Sequence, residues 1–193
     1  MTPRRTLDVV VVMDPIGSIG IAKDSTFAML LEAQRRGHRL HYVRPGGLGM
    51  RHGRAVASCA TLSVADDPGG WFGLGAFSEV PLATMDVALM RTDPPVDANY
   101  LHDTHILSLA QREGLLVVND PQGLRDLNEK LGAFLFPECC PPTLVSRDGK
   151  ALRAFVSEHG DCVLKPLDGM GGRSIFRARA DEDNLNVILE TLT

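Results

Sequence analysis

From Val163 to Phe176 the sequence reads Val-Leu-Lys-Pro-Leu-Asp-Gly-Met-Gly-Gly-Arg-Ser-Ile-Phe. A short apolar strand ends on Lys165, a glycine-rich turn follows, and a second apolar strand leaves it. Glycines let backbone N–H groups turn toward a ligand with no Cβ in the way, and successive N–H groups of that kind form a concavity that suits phosphate. A lysine at its edge supplies a compact positive charge. The turn is not a Walker A loop, because G-x-x-x-x-G-K-[ST] is absent and a strand follows it rather than a helix; nor is it a Rossmann fingerprint. The plainer alternative is a hairpin tip beside a surface lysine. Lys130, in Asn128-Glu129-Lys130, reads by itself as an ordinary helix-face lysine.

A second constellation is Arg91-Thr92-Asp93-Pro94-Pro95. It leaves the carboxyl end of a predicted strand, the edge where open α/β sheets place ligands. A guanidinium there can clamp a carboxylate through two parallel hydrogen bonds, and two prolines would hold the geometry. The alternative is a proline-rich turn with Arg91 salt-bridged to a neighbour. Met13-Asp14-Pro15-Ile16 is the matching loop after the first strand. His102 and His105 are three apart on a predicted helix, but no third ligand accompanies them, and they read as an exposed helix face.

The elements that must carry these residues follow from the hydrophobic pattern. Leu7 to Met13 is a β-branched run without alternation, as expected for a strand covered on both faces. Asp24-Ser25-Thr26 offers N-caps for a helix that closes at Gly37 after Arg35-Arg36. His38–Val43, Met85–Met90 and Leu115–Val118 are further strands, and Ala98–Gln111 is a helix closed by Gly114. Between Pro45 and Gly75 the glycines mark turns, weak alternation over 54–64 suggests a hairpin or edge strands, and Trp71-Phe72 would anchor a surface segment. Strand and helix alternation over 7–118 predicts an α/β fold with an open, mostly parallel sheet. After Asn119-Asp120-Pro121 the style changes. Helices are expected over 124–136 and 151–158, strands over 143–146, 162–165 and 174–178, and a last helix capped by Asp183. The boundary is set at 122/123, giving residues 1–122 and 123–193.

The composition excludes several classes. The net charge is -4, and no basic stripe points to nucleic acid. No apolar run approaches the ~20 residues of a membrane span. Arg4-Arg5 precedes the first apolar run, but Asp8 interrupts it and no small-residue cleavage site follows, so it reads as a strand rather than an export signal. Cys59, Cys139, Cys140 and Cys162 contain no C-x-x-C pair, and adjacent Cys139-Cys140 would close a strained ring. Reduced thiols and a cytoplasmic location are expected.

Taken together, Val12-Met-Asp-Pro-Ile16, the run Asp24 to Gly37, Met90-Arg-Thr-Asp-Pro-Pro95, Asn128-Glu-Lys130 and Leu164-Lys-Pro-Leu-Asp-Gly-Met-Gly-Gly172 resemble the prokaryotic glutathione synthetase family of the ATP-grasp superfamily. The resemblance runs over nearly the whole chain and is weakest over 45–80. It implies a Rossmann-like pre-ATP-grasp domain over 1–122 that helps hold the substrate, then a small α+β ATP-grasp subdomain over 123–193. It implies ligation of γ-glutamylcysteine to glycine with ATP and Mg²⁺ through an acyl phosphate, and a homo-oligomer with small-molecule partners. By motif, Lys130, Lys165, Gly169, Met170, Gly171, Gly172 and Ser174 would meet ATP, with Gly169 to Ser174 as a mobile loop. Asp14, Arg91 and Asp93 would face the peptide. The family's metal ligands lie in a second subdomain that this sequence does not reach; Asp181, Glu182 and Asp183 do not match them, so no metal ligand is assigned. The end in mid-helix without a C-cap reads as truncation, and the 193 residues alone are expected to be inactive. The alternatives are another carboxylate–amine ligase of the superfamily, or a non-catalytic nucleotide- or peptide-binding fragment.

Overall fold

The structure, a computed structural model, describes residues 5–193; Arg4, read above beside Arg5, lies outside the described residues. The chain divides into two compact units, one ending at Asp126 and the other running Leu127–Thr193. The division falls four residues after the boundary set from sequence, because the short helix at 121–126 packs on the helix that precedes it.

In the first unit the strands β1 (Asp8–Val12), β2 (Arg39–Val43), β7 (Val87–Met90) and β8 (Leu116–Val118) run parallel in the order β2-β1-β7-β8. Helix α1 (Ser25–Arg35) links β1 to β2, and α2 (Ala98–Arg112) links β7 to β8. The uninterrupted valines of β1 serve a strand buried on both faces. Val9 and Val11 pack with Phe27 and Leu30 of α1, while Val10 and Val12 pack with Tyr100 and Leu107 of α2. Asp24 caps α1 by accepting from Phe27 N (2.7 Å), and Asp97 caps α2 by accepting from Tyr100 N (2.9 Å). Each satisfies an amide that the helix itself leaves orphaned. Gly37 (φ +82°) and Gly114 (φ +105°) end the two helices in the left-handed region.

The loosely patterned stretch after Pro45 holds four antiparallel strands: β3 (Leu48–Arg51), β4 (Arg54–Val64), β5 (Phe72–Leu74) and β6 (Ser78–Pro81). The first half of β4 pairs with β3 and β6, and the second half with β2 and β5. Its alternation is weak for a physical reason. Ala55, Ala57 and Cys59 bury into the core shared with α2, whereas Leu62 and Val64 bury into the core shared with α1. The buried face therefore changes halfway along one strand. Trp71 anchors this region by donating from Nε1 to Ile16 O (3.0 Å).

The second unit packs α4 (Gly149–His159) and α5 (Leu185–Leu192) on one face of an antiparallel ribbon, β9 (Asp161–Leu164) and β10 (Phe176–Arg179). Its core is small: Val156, Ala178, Leu185 and Leu189, supported by Leu152, Cys162 and Leu164. Three expectations are corrected here. The helix read over 124–136 is α3 (Pro121–Asp126) and a separate 3-10 turn, Gly132–Leu135. Between them Asn128 Oδ1 accepts from Lys130 N (2.9 Å) and Leu131 N (3.1 Å), a side-chain turn that competes with helical bonding. Lys130 therefore sits in a turn and not on a helix face. The strand read over 143–146 does not form, since no ladder partner reaches it. The cap of α5 is Asn184, not Asp183, and it makes no side-chain bond.

Candidate functional site

Two clusters of chemistry-bearing residues form, one in each unit. In the second unit β9 ends at Leu164 and presents Lys165 at the mouth of the glycine turn. Gly171 (φ +64°), Gly172 (φ +77°) and Ser174 (φ +53°) all lie in the left-handed region, which suits glycine and strains a serine. Gly169 is required for a different reason: a Cβ there would meet Pro166 Cγ at 2.7 Å. The turn borders a cleft of ≈ 270 Å³ lined by Lys130, Lys165, Gly169, Met170, Gly171 and Gly172, with Glu129, Pro166, Arg173 and Ile175. The two lysines thus come together as the motif pairing required.

The lysines are held differently. Lys130 Nζ donates to Gly169 O (2.8 Å) and Leu167 O (3.2 Å) and pairs with Glu129 Oε1 (3.0 Å). Asn128 Nδ2 also donates to Leu167 O (3.2 Å). Both side chains therefore strap the segment around 128–130 onto the glycine turn. Among the described residues Lys165 forms no side-chain hydrogen bond or ion pair, and it stands exposed. A free ammonium beside backbone in positive φ is an arrangement that takes an anion. Glu129, Asn128 and Arg173 were not singled out from sequence; their adjacency to Lys130 and Gly172 was the available signal.

In the first unit, Asp14 follows β1 and Arg91 follows β7, neighbouring parallel strands at the point where the strand order reverses. Arg91 N donates to Val12 O (2.7 Å), extending the ladder. The guanidinium donates from Nε to Thr26 Oγ1 (2.9 Å) and from Nη2 to Ser25 Oγ (3.0 Å). Asp14 Oδ2 accepts from Asp93 N (2.8 Å). Burial and the nearby Asp14 and Asp24 carboxylates push the Asp93 carboxyl above its usual value, against a smaller pull from Arg91. Thr92 Oγ1, between them, is a buried hydroxyl without a hydrogen-bond partner among the described residues. Arg91 forms no ion pair among the described residues, so the salt-bridged turn considered from sequence is not what forms. Asp14, Arg91 and Asp93 are brought together. Thr26, only 4% exposed, and Ser25 were read only as helix-capping positions; their role as partners of Arg91 depends on the β7–α1 contact. An apolar cleft of ≈ 660 Å³ lies nearby, walled by Ile19 to Asp24, Pro68 and Trp71.

The same chain matches two adjoining family models. Residues 7–125 match the prokaryotic glutathione synthetase N-terminal domain, and residues 129–193 match the prokaryotic glutathione synthetase ATP-grasp domain. The chain belongs to the prokaryotic glutathione synthetase family. A glutathione synthetase of Xanthomonas axonopodis pv. citri is 71% identical over 97% of this chain and 60% of the relative. One from Xylella fastidiosa (strain Temecula1) is 62% identical over the same shares, and one from Vibrio cholerae is 51% identical over 95% of this chain and 58% of its own length. The chain thus spans about 60% of the length of the curated relatives it matches. Among solved structures it resembles the ATP-grasp ligase PsnB complexed with a minimal precursor, with a TM-score of 0.51 at 16% identity over 95% of this chain and 61% of that one. At that identity the likeness is one of fold, and it agrees with the α/β architecture read from sequence. Among the described residues no helix is long and apolar enough to cross a membrane.

Proposed function

We propose that residues 1–193 are the dipeptide-holding domain, up to Asp126, and the first jaw of the nucleotide clamp, from Leu127 on, of a glutathione synthetase. The reaction joins γ-glutamylcysteine to glycine with ATP, through phosphorylation of the cysteinyl carboxylate and attack of the glycine amine on the acyl phosphate. The observation that carries this reading is Lys165, a cation without a partner among the described residues, beside the left-handed backbone of Gly171 and Gly172. Phosphoryl transfer asks the protein for positioning and charge neutralisation, and this turn offers both. Lys165 and the N–H groups of Gly169, Met170, Gly171 and Gly172 hold the nucleotide phosphates, with Ser174 at the exit of the turn. Lys130 positions the turn and reaches the same cleft. A loop over these groups would keep water from the acyl phosphate.

Mg²⁺ neutralises charge on the transferred phosphoryl group in such reactions. In this reading the metal ligands belong to the family's second ATP-grasp subdomain, as the resemblance implies. Asp14, Arg91 and Asp93 are the dipeptide side of the reading. The partners are ATP and two small substrates, in a cytoplasmic homo-oligomer.

Equilibrium binding tests the reading on the chain itself. ATP should bind at least about tenfold tighter than adenosine, since each charged contact to phosphate contributes about 1.5–3 kcal/mol. Equal affinity for the two would remove the phosphate site. In a ligation assay residues 1–193 should form no glutathione, and a fusion to the C-terminal part of the Xanthomonas relative should form it.

A further inference from the structure

Two of the four cysteines stand side by side at the surface of the second unit. Cysteine is among the residues most often buried, and Cys59 follows that habit in β4, 3% exposed. Cys139 and Cys140 do not. They close the 3-10 turn Pro137–Cys139, with Cys139 exposed and Cys140 half-buried, beside exposed Leu135 and Phe136. Packing does not account for the pair, and reactivity is then the property of a free thiol to read.

Geometry decides what two adjacent thiols can take. A disulfide would bring the sulfurs to about 2.05 Å, which neighbouring residues reach only in a strained ring. One soft centre bound to both thiolates through bonds of about 2.3 Å sets them roughly 3.5 Å apart, close to the ~3.8 Å between adjacent Cα atoms. Thiolates select soft centres over hard ones. The pair is also linked to the glycine-turn cleft. Cys140 Sγ donates to Ala133 O (3.2 Å) and Phe136 O (3.5 Å), and so holds the far end of the 3-10 turn Gly132–Leu135. The near end is held by Gly132 N, which donates to Asn128 O (2.7 Å), next to the Lys130 strap. A sulfur that gives up its proton to bind a soft centre can no longer donate to either carbonyl.

We propose that Cys139 and Cys140 form a dithiol site for a soft electrophile that needs two thiolates at once, trivalent arsenic being the simplest, and that its capture loosens the turn behind Lys130. With an arsonous acid, two As–O bonds break and two As–S bonds form. The two thiol protons leave with the two hydroxyls as water, so no oxidant or reductant enters. Joining the second thiolate is intramolecular, and an effective concentration of that kind strengthens capture by about 10²–10⁴ over a single thiol. Capture can be read without nucleotide, so the site does not depend on the ligase reading.

The test uses the reduced 193-residue chain and phenylarsine oxide. One equivalent should block two of the chain's four thiols against alkylation, and peptide mapping should place the block at Cys139 and Cys140. Cys139→Ser, a change at an exposed position, should bind the arsenical at least about 100-fold more weakly. Capture should raise protease cleavage at residues 166–174 several-fold in the unaltered chain and leave cleavage of the Cys139→Ser variant unchanged. A small dithiol added afterwards should reverse the rise. Equal affinity in the unaltered chain and the variant would overturn the site, as would a block that maps to Cys59 or Cys162. Tight capture with unchanged cleavage at 166–174 would overturn the link to the turn.

Discussion

In the unit that ends at Asp126, the chemistry-bearing loops hang from β1 and β7, adjacent strands packed between two helices with Val10, Val11, Val12 and Ala88 fully buried. In Leu127–Thr193 the glycine turn hangs from a two-stranded ribbon covered on one face, over a core of four buried residues. The segment from Leu127 to Val145 also leaves Leu127, Leu131, Phe134, Leu135, Phe136, Leu144 and Val145 exposed, Leu135 at 68% and Phe136 at 60%. The first unit has enough buried surface to position Arg91 and Asp14 by packing. The second positions its turn by polar straps, Lys130 and Asn128 to the carbonyls of Leu167 and Gly169. Close packing transmits error to every neighbour, whereas a strap fails locally.

The largest effect that tests this contrast is in the cores. Phe27→Ala should cost about 3–5 kcal/mol and lower the unfolding transition of the first unit. Leu185→Ala, at about 2–5 kcal/mol, should remove amide protection throughout 127–193 and leave that of β1 and β7 unchanged by hydrogen exchange. Loss of β1 protection in the Leu185 variant would show that the units do not open independently.

Next in size are the lysines. Lys165→Ala should weaken ATP binding by about 1.5–3 kcal/mol without changing protease sensitivity at the glycine turn. Lys130→Ala should weaken binding and also raise cleavage at residues 166–174, because it removes the strap. Unchanged ATP affinity in both variants would defeat the phosphate assignment.

A pH effect confined to the first unit comes third. Hydrogen bonds from Arg39 and His41 hold the Asp8 carboxyl down at about 2, from an ordinary 3.8, against the opposing effect of burial. A lowered folded-state pKa means the unfolded chain takes up the proton first. The stabilisation is complete above the unfolded value and is lost as pH falls from about 4 through about 2. Urea midpoints of the first unit should drop across that window, and Asp8→Asn should flatten the drop. A variant with the same slope would place the acid sensitivity elsewhere.

The smallest contrast is in helix caps. Asp24→Ala in the first unit and Asp148→Ala in the second each remove an N-cap bond, to Phe27 N and Lys150 N respectively, at about 0.5–2 kcal/mol. Thermal unfolding should show both, with the Asp148 change seen only in signals from 127–193.

The valine run of β1, the cap at Asp24, the glycine stops at Gly37 and Gly114, and the lysine–glycine turn were all determined by the sequence alone, since each depends on residues within one turn or one strand. Their order along the chain also carried the family. Tertiary structure decided the rest. Whether β4 buries its odd or even residues changes at Cys59 because the neighbouring helix changes, and no local pattern encodes that. Whether residues 124–136 form one helix was decided by Asn128, whose side chain bonds Lys130 N, Leu131 N and Leu167 O at once. Whether Arg91 pairs with a carboxylate or with hydroxyls was decided by Ser25 and Thr26 on α1, more than sixty residues away in sequence. Only the contact between β7 and that helix could bring them within hydrogen-bonding distance.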